Sequence, residues 1–121
     1  MITAEDLEAM GYVEAPKAMT FDDYQAAAVR TAIYPSTAHV TYPAMGLANE
    51  AGEVLGKVKK IIRDGTFNRY DIADELGDVL WYAAALARDL NIDLSEIAQH
   101  NLDKLASRQQ RGTLKGSGDK R

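Results

Sequence analysis

The chain contains no cysteine, which excludes disulfides and thiolate metal sites and agrees with a reducing cytoplasm. It lacks any apolar run of signal-peptide or membrane-spanning length, so no membrane partner is expected. Surplus positive charge is missing too: 14 Lys and Arg against 18 Asp and Glu give a formal net charge of −4. That argues against a binder of nucleic-acid polymers, because a phosphate backbone calls for an excess of Lys and Arg. Histidine is scarce, with only His39 and His100, and neither stands at the Glu-x-x-His spacing of di-iron bundles. No segment alternates with period two long enough to call for a strand.

What is present repeats at three and four residues. The 121 residues suit a single domain, 1–121, with residues 1–19 as an N-terminal arm and 112–121 as a flexible C-terminal tail. Thr3-Ala4-Glu5-Asp6 reads as a capping box for a short helix that Gly11 ends, and Pro16 marks a linker. Thr20 caps a first main helix that stops near Ile33 or Tyr34, before Pro35. Pro43 suits the first turn of a second helix, with a stripe through Leu47, Ala51, Val54, Leu55, Val58, Ile61 and Ile62, ending at Asp64-Gly65. A third helix runs from about Asn68 to Leu90. Asn91 closes it, and Asp93 or Ser95 caps a fourth helix reaching roughly Arg111. The expected fold class is therefore all-α: an antiparallel bundle of about four helices plus a short N-terminal one. So thin a core predicts a homodimer or homotetramer, with Val29, Ile33 and Ala83-Ala84-Ala85 as candidates for burial against a partner.

Two acidic pairs stand out against this background, Glu50-x-x-Glu53 and Glu75-x-x-Asp78. Residues three apart share a helix face, so each pair can point its oxygens at one spot. Acidic pairs on helices are ordinarily solvated and matched to lysines, but these border the apolar stripes, where unpaired charge is costly. Gly52 and Gly77 each precede an acid of a pair, and glycine inside a helix costs about 1 kcal/mol relative to alanine unless something needs close approach. Four carboxylates without histidine or thiolate form hard-oxygen chemistry suited to Mg²⁺, with Mn²⁺ possible. Open positions on such a cation favour substrate phosphates.

These residues resemble the MazG-like all-α nucleoside triphosphate pyrophosphohydrolases. The resemblance runs from Tyr24 to the end of the chain and includes Gly-Leu-Ala-x-Glu-Ala-Gly-Glu-Val and Glu-Leu-Gly-Asp-Val-Leu-Trp-Tyr. One departure concerns Asn49, which stands where the family pattern has its first Glu and puts the metal stoichiometry in question. The last ten residues look like the ending of a subset of small, stand-alone members. The resemblance implies hydrolysis of a (deoxy)nucleoside triphosphate to monophosphate and pyrophosphate, with dGTP or dCTP as first substrates to test, in the cytoplasm of a bacterial cell or phage-infected host. It makes Glu50, Glu53, Glu75 and Asp78 the metal-binding and catalytic residues. Glu53 is favoured for handling the attacking water, with Asp74 as its rival.

Lys57 and Lys60 continue the Glu50/Glu53 side of their helix and would balance charge on the leaving pyrophosphate, or else pair with neighbouring acids. Asn101, Lys104 and Arg108 match the family's Asn-x-x-Lys-x-x-x-Arg pattern beside the nucleotide; the plainer role for Asn101 is a buried inter-helix hydrogen bond. Tyr82, and less directly Trp81, would stack on base or sugar, although aromatics in a helical stripe usually belong to the core. Arg30, Thr31 and Tyr34 would line the pocket. Lys115, Asp119, Lys120 and Arg121 would close over phosphates, a disordered end being the default. Two closer alternatives are a dUTPase-like enzyme and a di- and triphosphate hydrolase of the same superfamily. A non-enzymatic helical interaction module, whose acids only pair with lysines, is the reading from another class.

Overall fold

A computed structural model of the chain describes residues 1, 3–9, 11 and 18–121, the side chain of Leu7 excepted. The expected linker at Pro16 lies outside the described residues. Five α-helices follow in order, α1 Ala4–Ala9, α2 Phe21–Ala28, α3 Thr41–Asp64, α4 Arg69–Asp89 and α5 Leu94–Gln110, and no strand occurs among the described residues. The all-α expectation holds, with the short first helix in place.

Local chemistry explains the boundaries. Thr20 and Asp23 form a reciprocal capping box at α2, each accepting the other's backbone N–H at 3.0 Å, and so satisfy two donors that the helix start leaves orphaned. The α-helical part of α2 ends at Ala28, earlier than its pattern suggests, and continues as a tighter 3₁₀ turn over Val29–Thr31. A second 3₁₀ turn, Ser36–Ala38, occupies part of the segment expected to be loop. Pro43 lies in the first turn of α3 and is fully buried. Gly65, at φ +70°, ends that helix in the left-handed conformation favoured at helix C-termini. Asn68 caps α4 by accepting the Tyr70 N–H at 3.0 Å, and Asn91 closes it at φ +57°.

The cap of α5 comes from elsewhere in the chain. Asp93 makes no capping hydrogen bond with its side chain. Instead Asp22, on α2, accepts the Ser95 N–H at 3.0 Å and the Ser95 hydroxyl at 2.7 Å. Gln25, one turn on, is buried and completes the joint. Its amide donates to the carbonyls of Ala84 (3.3 Å) and Ile92 (3.1 Å), and its oxygen accepts the Leu94 N–H (3.0 Å). One side chain thus satisfies backbone groups at the end of α4 and the start of α5 while tying both to α2.

Helices α3 and α4 pack as an antiparallel hairpin, since position 46 meets 82, 50 meets 78 and 57 meets 75. The buried apolar centre is small: Ala84, Ala85, Ala87 and Leu94, with Tyr24 and Ala28 packed against it. Ala84 and Ala85 therefore belong to this chain's own core, whereas Ile33 is 96% exposed. The predicted core stripe of α3 stays largely open in the single chain, with Ile62 83% exposed, and on α5 Leu102 is 61% exposed.

Candidate metal centre

The hairpin brings one oxygen each of Glu50, Glu75 and Asp78 within 4.8 Å of one another. Glu50 comes from the middle of α3 and the other two from the first half of α4. Glu50 shows the repulsion: burial first, then the charge of Asp78, then the adjacent Glu75 carboxyl, and lastly the charge of Glu53 hold its carboxyl above the ordinary range. Acids crowded like this are relieved by a retained proton or by a nearby cation. Lys57 supplies only a loose one, its Nζ standing 3.8 Å from Glu75 Oε1.

The donor set fits a hard divalent ion. Oxygens around one Mg²⁺ at 2.0–2.1 Å stand roughly 3 to 4.2 Å apart, and the trio's oxygens all lie within 4.8 Å of one another. All three donors are carboxylate oxygens, and two of the three residues are only partly exposed. Glu53, on the same face of α3, is exposed and lies outside the trio. Asp74 is exposed as well.

Gly46 shows why the hairpin fits so closely at this level. A Cβ at position 46 would overlap the Tyr82 ring, so only glycine admits that ring against α3. At Gly52, Gly56 and Gly77 an added Cβ would meet nothing within 4 Å. The close approach expected at Gly52 and Gly77 is therefore not made by this chain. Burial, the Tyr42 hydroxyl beside it, and the charges of Glu50 and Asp78 push the Tyr82 phenol above its ordinary range. Tyr82 thus stands beside the acids.

Trp81 turns elsewhere. Its indole N–H donates to the Ala28 carbonyl (3.0 Å) and the Thr31 hydroxyl (2.8 Å), pinning α4 to the end of α2. Lys57 and Lys60 line a hollow of about 240 Å³ at the α3–α4 turn, with Asp64, Thr66, Asn68 and Asp71. Arg30 is exposed.

The α5 residues are arranged differently from the sequence expectation. Asn101, expected on the apolar stripe, is exposed. Lys104 and Arg108 are engaged by Asp119, at 2.9 and 3.1 Å. Residues 112–121 follow a course in which the Arg121 guanidinium donates to the carbonyls of Thr113, Leu114 and Gly118.

Two tyrosines near the site carry no motif. Tyr24 faces Asp78, whose charge adds to burial in raising its phenol. Tyr42 stacks on Tyr34, with ring centroids 4.7 Å apart, and lies 6.2 Å from Tyr82. Only their places in aromatic-bearing helical stripes could have pointed to them.

An all-helical hairpin with an acidic trio across its seam defines the class. The sequence model of the MazG nucleotide pyrophosphohydrolase domain matches residues 40–113, and the chain belongs to that family. It is 51% identical over 114 residues to the "Gene 37 protein" of Mycobacterium phage L5, covering 85% of this chain and all of that one. No solved structure matches. The family is one of nucleotide pyrophosphohydrolases, and no helix among the described residues is long and apolar enough to cross a membrane.

Proposed function

We propose that the chain hydrolyses (deoxy)nucleoside triphosphates to nucleoside monophosphate and pyrophosphate with Mg²⁺, or Mn²⁺ in its place, thereby controlling nucleotide pools. The observation that carries this reading is the trio Glu50, Glu75 and Asp78, gathered across the seam of α3 and α4. These carboxylates would hold the cation, which offsets triphosphate charge and lowers the pKa of a water for attack. Glu53, outside the trio, would orient that water and take its proton as it adds to the α-phosphorus. The bond from the α-phosphorus to its bridging oxygen then breaks, and pyrophosphate leaves. Lys57 and Lys60, one to two turns further along α3, balance the leaving charge. Tyr82 and Tyr42 form an aromatic wall beside the acids for base or sugar.

A homodimer or homotetramer in the cytoplasm completes the proposal. The exposed apolar residues of α3 and α5 support assembly, because faces of that kind on a soluble protein mark interfaces. In such an assembly Asn101, Lys104, Arg108 and Arg30 would be brought to the nucleotide by the neighbouring subunit or by their own. The test is a panel of ribo- and deoxynucleoside triphosphates with and without Mg²⁺, scored for pyrophosphate, with dGTP and dCTP first and dUTP and diphosphates included. Pyrophosphate release that Glu75→Gln removes is the expected result. A folded protein that leaves the whole panel intact sinks the assignment.

A further inference from the structure

The segment 112–121 folds back on α5 and places a carboxylate on two basic residues. Gly112, Gly116 and Gly118 have φ of +68°, +113° and +86°, conformations that glycine adopts without strain. They turn the chain so that Arg121 donates to the carbonyls of Thr113 (3.1 Å), Leu114 (3.1 Å) and Gly118 (2.7 Å). Arg111 donates to the Arg121 backbone oxygen at 3.0 Å and ties the loop to its helix. Asp119 then accepts from Lys104 Nζ (2.9 Å) and Arg108 Nη2 (3.1 Å), and its carbonyl accepts from the same Arg108 nitrogen at 2.6 Å.

The match is incomplete. Arg108 is only 5% exposed, yet its Nε–H has no partner among the described residues, and the buried Thr113 hydroxyl has none either. A buried donor left without a partner is costly, because it has given up its water. A guanidinium offers parallel N–H donors that suit two oxygens of one anion. Asp119 engages one guanidinium nitrogen and leaves the Nε prong idle. Asp119 is itself 80% exposed, so water screens its ion pairs and each contributes little. The arrangement is a cationic site holding a weak, singly charged occupant.

We propose that Asp119 is a resident placeholder for a phosphate group, and that a polyphosphate displaces it from Lys104 and Arg108. This rests on the pyrophosphohydrolase reading for its substrate class, and it adds a regulatory element: the 112–121 loop sets how readily the triphosphate moiety is admitted. A polyphosphate carries more charge than a carboxylate and offers enough oxygens to use both prongs of Arg108.

The full-length chain is titrated calorimetrically with inorganic tripolyphosphate in the absence of divalent metal, and nucleotide hydrolysis is measured in parallel. Asp119→Asn, which keeps the side chain's size, is expected to bind tripolyphosphate about threefold to tenfold more tightly and to lower KM by the same factor, with kcat unchanged. Arg121→Ala, which loosens the loop without touching Asp119, shifts binding in the same direction. Adding Lys104→Ala to Asp119→Asn removes the gain. Unchanged or weaker binding in both folded single variants overturns the proposal, and so does loss of folding in both, which would make the loop a structural strap. If no triphosphate is hydrolysed while both variants bind tripolyphosphate more tightly, the placeholder stands and the pyrophosphohydrolase reading falls. If triphosphates are hydrolysed while binding and KM stay unchanged in both variants, the placeholder falls and the pyrophosphohydrolase reading stands.

Discussion

One oxygen each of Glu50, Glu75 and Asp78 lies within 4.8 Å of the others, and burial followed by these neighbouring acids acts on Glu50. Its carboxyl in the fold sits above the ordinary 4.5, so the folded state keeps that proton to higher pH than the unfolded chain does. Its ionisation therefore costs stability as pH climbs from about 4.5 through the raised value. Glu50→Gln should make the metal-free protein more stable than the parent at pH 7, with the difference gone at pH 4 and reduced by Mg²⁺. Urea melts at the two pH values, with and without Mg²⁺, measure this. The residues of the site should also separate by role. Glu75→Gln and Asp78→Asn should lose both Mg²⁺ affinity and hydrolysis. Glu53→Gln should keep most Mg²⁺ affinity while losing about a hundredfold or more in kcat. A Glu53 variant that loses metal binding as completely as Glu75→Gln would place Glu53 in the ligand set instead.

The start of α3 is held by the end of α4. Asp89, the last residue of α4, has a fully buried side chain. It accepts from the Tyr34 hydroxyl (2.8 Å), the Val40 N–H (2.9 Å) and Arg88 Nε (2.9 Å). Val40, at φ +66°, is a β-branched residue in the left-handed region, a strained conformation at the entry to the helix that carries Glu50. Burial pushes Asp89 upward, but the hydrogen bonds from Val40, Tyr34 and Arg88 outweigh it and hold the carboxyl below its ordinary 3.8. The unfolded chain therefore binds this proton first, and the stability Asp89 contributes is lost as pH falls below about 3.8. Asp89→Ala should destabilise by about 1 to 3 kcal/mol, because it removes the hydrogen bonds that Tyr34, Val40 and Arg88 give a fully buried carboxylate. A thermal melt that moves by less than a degree would refute this role. At the other contact of the hairpin, Gly46→Ala should cost about 1 to 3 kcal/mol through overlap with Tyr82. Replacing Tyr82 with leucine in the same chain should relieve part of that loss.

The single chain is short of core. Among the described residues the fully buried apolar side chains are chiefly alanines, while Leu55, Ile62, Leu76 and Leu102 are each more than half exposed. Leucine and isoleucine at helical spacing on α3 and α5 are therefore expected to meet another copy. Ile62→Glu or Leu102→Glu should lower the sedimentation coefficient and the melting temperature together, since a charge in an apolar interface is costly to bury. An unchanged sedimentation coefficient for both would show that these faces do not mediate assembly.

By itself the sequence determined the helices, most of their ends and the two acidic pairs. Those depend on periodicity, glycine, proline and caps, all of which act within a few residues. Only the tertiary structure decided which acids meet, because the register of α3 against α4 depends on Gly46 accepting the Tyr82 ring. It also decided that Asp22 rather than Asp93 caps α5, a bond spanning 73 residues of chain. The exposure of Asn101 was equally illegible, since a residue on an apolar stripe is buried only if another element covers it. So was the path of residues 112–121, since three glycines do not tell which carbonyls Arg121 gathers around it. Local sequence sets what each segment can form, and the long-range contacts set which charges end up side by side.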